Sequence, residues 1–125
     1  MLEIKKIAVI LDDFSFKSFS LTDVGVQVRP DFDPSKISPD EFLLFFSESA
    51  WSGFSNEWCK KVSYASSELK EVVSFFKGNS IPTCFWSKED PVHFNRFLAA
   101  ASEFDFVFTT DISCVSLYKQ LLGNL

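Results

Sequence analysis

Five short apolar runs, separated by segments with helical spacing, constrain what this chain can fold into more than any other feature. The first, Ile7-Ala8-Val9-Ile10-Leu11, stops at Asp12-Asp13, and Phe42-Leu43-Leu44-Phe45-Phe46 stops at Ser47-Glu48. Val24 to Val28 alternates and is closed by Arg29-Pro30, Ile81 to Trp86 forms a fourth run, and Phe104 to Thr109 a fifth. Runs apolar at successive positions suit strands buried on both faces, as in parallel sheets. Between them, Leu69, Val72, Val73 and Phe76 follow a helical period, as do Phe94, Phe97, Leu98 and Ala101, and then Val115, Tyr118 and Leu122. Ser66 or Ser67 is placed to cap the first of these helices and Gly78 to stop it. Asp90 as N-cap with Pro91 at the first helical position opens the second, and Asp111 and Gly123 bracket the third. Residues 14–23 and 31–40 read as short helical or irregular connections, and 51–65 as a longer loop.

Strands alternating with helices imply an α/β fold: a three-layer, Rossmann-like open parallel sheet of five strands with right-handed crossovers, expected in the order 3-2-1-4-5. At 125 residues the chain has the size of one domain, expected to span 1–125. Sixteen phenylalanines against two tyrosines imply a ring-packed interior, and eleven of them fall in predicted strands and helices. Phe14, Phe16, Phe19, Phe32 and Phe54 fall in loops, three of them just after the first strand. Twelve basic and 17 acidic residues give a net charge of −5, which argues against a nucleic-acid partner, since phosphate backbones need clustered Lys and Arg. No apolar run approaches the ~20 residues of a membrane span. Cys59, Cys84 and Cys114 are odd in number and widely spaced, pointing to reduced thiols and a cytoplasmic location. Met1 to Lys6 is too short and too charged for a secretory leader. With no CxxC pair and His93 the sole histidine, no metal site is expected.

In open parallel sheets, ligands meet the carboxyl ends of the strands. Those ends carry Asp12-Asp13, Glu48, the segment Trp86 to Asp90, and Thr109 to Asp111. A phospho-receiver domain would use such an acidic pair, yet the third strand ends in Ser47-Glu48 rather than an acceptor aspartate, and Thr110-Asp111 stands where a lysine should follow the fifth. A phosphate-cradling loop is excluded, because none of the four glycines lies in a suitable strand-to-helix turn. Cys84 and Cys114 fall inside a strand and a helix, and His93 has no nucleophile partner, so a catalytic triad is unsupported. The segment Ile81 to Phe94, IPTCFWSKEDPVHF, crowds Trp86, Lys88, Glu89 and Asp90 at a strand end. It reads either as a polar site with an aromatic platform or as a structural junction in which Asp90 caps, Lys88 pairs with Glu89 or Glu48, and Trp86 fills core. Trp51 likewise suits stacking on a sugar or covering the sheet edge.

The motifs ESAW (Glu48–Trp51), a loop with Gly53 and Trp58, IPTCFWSKEDPVHF, FDFVFTTD (Phe104–Asp111) and a last helix with Tyr118 and Gly123 resemble the N-terminal half of CgeB-type (spore-maturation-like) glycosyltransferases. The resemblance extends over most of 5–123 and is weakest at 24–40. It implies a GT-B enzyme of two Rossmann-like halves, in which the C-terminal half, missing from this sequence, binds the nucleotide-sugar donor and this half shapes the acceptor side. No cofactor is then expected on this chain itself, and transfer by it alone is not expected. The implied acceptor is a carbohydrate or glycosylated molecule. Glu48 and Glu89 become the candidate catalytic carboxylates, and Asp12, Asp13, Trp51, Trp86, Lys88 and Asp111 the candidate substrate-binding residues. The alternative from a different class is an interaction module that meets a donor domain or a second copy of itself.

Overall fold

The computed structural model describes residues 5–21 and 23–123. Five strands, β1 (Lys6–Ile10), β2 (Gly25–Gln27), β3 (Phe42–Glu48), β4 (Thr83–Ser87) and β5 (Phe106–Thr109), form one all-parallel sheet. Four α-helices flank it: α1 (Asp13–Ser18), α2 (Ser67–Gly78), α3 (Phe94–Ala101) and α4 (Ser113–Leu122). The Rossmann-like α/β class read from the sequence is the one observed. The strand order is β2-β1-β3-β4-β5, not 3-2-1-4-5. The physical reason lies in the strands themselves. β3 is seven residues of mostly apolar side chains and needs neighbours on both edges, whereas β2 is three half-buried residues that tolerate an open edge. At that edge the Gln27 side-chain amide makes two bonds to the backbone of Leu11, accepting from its N–H and donating to its C=O.

The two faces are covered unequally. Strand register puts Ala8, Phe45, Thr83, Phe85 and Val107 on one face. There α2, α3, α4 and the 51–66 loop bury the main core, with Phe76 stacked on Phe45 at 4.9 Å and Tyr118 against Phe94 at 4.8 Å. On the other face α1 is the only helix among the described residues, tied to it by Phe19 against Phe46 and Trp86. Right-handed crossovers explain this: every step from β3 to β5 moves in one direction along the sheet, while β1 to β2 moves in the other. The helical layer on the second face is therefore a single short helix. Gly25 allows α1 to lie close, because a Cβ there would sit 2.7 Å from Leu21 Cβ and 3.0 Å from the Phe16 ring.

Ser66 caps α2 by accepting from the Leu69 amide, as its position predicts. Asp90 does not cap α3, which begins at Phe94 with His93 before it. Its carboxylate instead points inward and accepts from Ser87 Oγ, Thr109 Oγ1 and Tyr118 Oη at 2.9, 2.6 and 2.8 Å. Three hydroxyls from β4, β5 and α4 outcompete the amides of the next turn for one buried carboxylate. The loops at 31–40 contain two 3-10 turns, each started by a proline, Pro34 and Pro39.

Candidate functional site

The chain reverses direction across the sheet between β1 and β3, since β2 lies beside β1 on one side and β3 on the other. In open α/β sheets that switch point opens the crevice where ligands bind. Asp12 follows β1 and Glu48 ends β3, so both acids stand at its floor. Lys88, one residue beyond β4, reaches back between them. Its Nζ lies 3.2 Å from Asp12 Oδ2 and 3.1 Å from Glu48 Oε2.

Glu48 is fully buried, and both of its oxygens are committed. Oε1 accepts from the Asp12 amide at 2.7 Å, and Oε2 from Ser15 Oγ at 2.7 Å as well as from Lys88. Asp12 in turn organises the loop after β3, accepting from the amides of Gly53, Ser52 and Trp51 at 2.7, 3.1 and 3.4 Å. The Lys88 amide donates to Ser49 Oγ, pinning the loops after β3 and β4 together. Burial works against the charge of Asp12, but the Gly53 and Ser52 amides and the Lys88 ammonium outweigh it and hold the carboxyl below its ordinary value. Burial also disfavours the Lys88 ammonium, and Glu48 followed by Asp12 outweighs it, so the lysine is held above its ordinary value. The crevice floor is an ion triad whose charge is met internally, and its Asp12 amide contacts are those an incoming anion would need.

Around this floor the candidates separate. Asp12, Glu48, Lys88 and Trp51 come together. Trp51 is half-buried, edge-on to His93 and Phe97, with the Arg96 guanidinium 5.4 Å from its ring centre. Asp13 is exposed at the start of α1, and its carboxylate takes the Ser55 amide at 3.4 Å. Glu89 is half-buried beside Lys88, and its backbone carbonyl accepts from the His93 amide. Trp86 points to the α1 face of the sheet and packs on Phe19, away from the crevice rim. Asp111 is occupied locally by the amide and hydroxyl of Ser113 at the start of α4. The receiver-like arrangement gains a lysine between its acids, but the carboxylate at the end of β3 is sealed from solvent and offers no acceptor oxygen.

Two contributors escaped the sequence reading. Ser15 is a buried hydroxyl one helical turn after Asp12, and it donates to Glu48 at the end of β3. Asp90 joins Ser87, Thr109 and Tyr118 in a second buried network beside the triad. Burial pushes the Tyr118 phenol up, and the Asp90 carboxylate adds to that. Comparison with protein-family models, with curated proteins and with solved structures gives no match.

Proposed function

We propose that this chain is the acceptor-side half of a GT-B-like glycosyltransferase, with the nucleotide-sugar donor carried by a separate C-terminal half. The observation that carries the reading is the character of the carboxyl-end rim. The three most exposed large apolar side chains among the described residues are Ile112 at 90%, Phe14 at 82% and Val92 at 82%. All three lie in the segments leaving β5, β1 and β4, at the carboxyl-end edge of the sheet, the side a facing domain or acceptor would approach. A carbohydrate acceptor suits a rim that mixes apolar surface with the carboxylates of Asp13 and Glu89. The Asp12 cradle is already filled by backbone amides, which fits an acceptor half better than a site for a donor diphosphate.

Within this reading the two candidate carboxylates part company. Glu89 sits at the rim with access to solvent and is the general base that would take the proton of an acceptor hydroxyl. Glu48, sealed and triply bonded, is a positioning residue that holds Asp12, Lys88 and the Trp51 loop. In the enzyme assembled with its donor half, Glu89→Gln lowers kcat by roughly 100-fold or more with the acceptor KM little changed, the size expected for a lost general base. Turnover equal to the parent enzyme in Glu89→Gln would refute the assignment.

A further inference from the structure

We propose that the uncovered strip of the second sheet face is a two-fold interface between copies of this chain. The strip runs across β3, β4 and β5, where register aligns Phe46 with Cys84 and Phe106, and Trp86 with Phe108. Phe106 is 50% exposed, Phe108 54% and Phe19, which borders the strip, 45%. At the ~150–250 Å² an aromatic side chain can bury, these three rings alone leave about 300 Å² of contiguous apolar surface in water. The partly exposed Phe46, Cys84 and Trp86 bring it to roughly 400 Å², within the ~300–600 Å² of the largest, often functional, patch on a monomer.

The area decides the occupant. A stable interface buries about 800 Å² per partner, of which somewhat more than half is apolar, or about 450 Å². The strip supplies nearly all of that, and a rim of ordinary surface supplies the rest. Charge agrees with a self-complementary contact. Although the chain carries a net charge of −5, its strip has no charged side chain on β4 or β5, and the one acid that β3 turns to this face, Glu48, is buried and paired with Lys88, the exposed charges of α1 lying beside the strip rather than in it. Two copies therefore meet on this face without opposing like charges. A closed two-fold arrangement uses the same patch on both subunits, and stacked sheets ~10 Å apart interleave aromatic side chains in this way. The same order of layers completes the burial that a parallel sheet requires on both faces.

Sedimentation equilibrium from ~1 to ~100 µM, a range over which mass action would populate a micromolar dimer, should show a species of twice 14.2 kDa at the upper end. Phe106→Lys with Phe108→Lys should return the monomer mass at every concentration. Because that variant places two charges on an edge strand, the unmodified chain carries a second readout. Cys84 lies in the strip, whereas Cys59 is exposed in the 51–66 loop. Alkylation of Cys84 should slow by about tenfold between the two concentrations while Cys59 reacts at a constant rate, as expected if dimerisation alone shields the strip. A monomer at ~100 µM, or a dimer in which Cys84 labelling is independent of concentration, overturns the proposal.

Discussion

Replacing Lys88 by Met tests the ion triad most directly, because it removes the cation while keeping an unbranched stem only one atom shorter. The ammonium is 3.2 Å from Asp12 and 3.1 Å from Glu48, with only 22% of the lysine side chain exposed and none of the glutamate. Each contact is worth about 5 kcal/mol of Coulomb attraction at an effective dielectric of ~20, before desolvation is subtracted. Removing one partner of a buried pair leaves an uncompensated charge and costs ~3–5 kcal/mol. The partial exposure of Lys88 and Asp12 places this site at the lower end, about 3 kcal/mol. For a chain of this size that corresponds to a fall in Tm of roughly 10 °C. Urea unfolding followed by tryptophan emission measures it, and Lys88→Met with Glu48→Gln should recover about half the loss, since the buried acid no longer needs a cation. A loss below ~1 kcal/mol, the size of an exposed pair, would refute the reasoning.

The same triad sets a pH window. Asp12 is held below its ordinary value of 3.8, so its contribution is in place above that pH and is lost as pH falls through the folded value. Lys88 is held above its ordinary 10.5, so its contribution is in place below that pH and is lost as pH rises through the folded value. The Tm difference between parent and Lys88→Met should be flat across neutral pH and shrink at both ends, as a pH series by calorimetry will show. Gly53→Ala should cost about 3 kcal/mol in denaturant melts, because the residue sits at φ +69 and a Cβ would lie 2.7 Å from Trp58 Cβ. Asp90→Asn should cost about 2 kcal/mol and lower the titration of Tyr118 in ultraviolet absorbance, since the remaining oxygen cannot serve three hydroxyls and the repelling charge is gone.

The elements were legible where burial is written into neighbouring residues. Apolar runs marked β1, β3 and β4, and helical periods marked α2, α3 and α4, because both signals are local; the aromatic-rich run at β5 marked a strand too, but one whose Phe106 and Phe108 stay about half exposed. Strand order was not legible, since it depends on which strand can bear an open edge. That is decided by the brevity of β2 and by the bonds of Gln27 to Leu11, 16 residues apart in sequence. Asp90 shows how a sound local rule loses to distant partners. Asp-Pro before an apolar period signals a helix start, but hydroxyls 19 and 28 residues away claimed the side chain. Lys88 pairing with Glu48 was among the readings of the segment, while the addition of Asp12, 76 residues away, appears only once β1 and β3 stand side by side.

The acids at the carboxyl ends divide by what the fold already asks of them. Asp12, Glu48 and Asp90 each accept three or more bonds from their own chain, and Asp111 accepts two from Ser113. A carboxylate so engaged has few lone pairs left to offer a new partner. Among the acids named at this edge, exposed Asp13 and half-buried Glu89 carry the least claim on them, and Glu89 is the one that follows Lys88 in sequence. The buried charges of Asp12, Glu48 and Lys88 tie together the loops that leave β1, β3 and β4, and Glu89 follows Lys88 on the last of these.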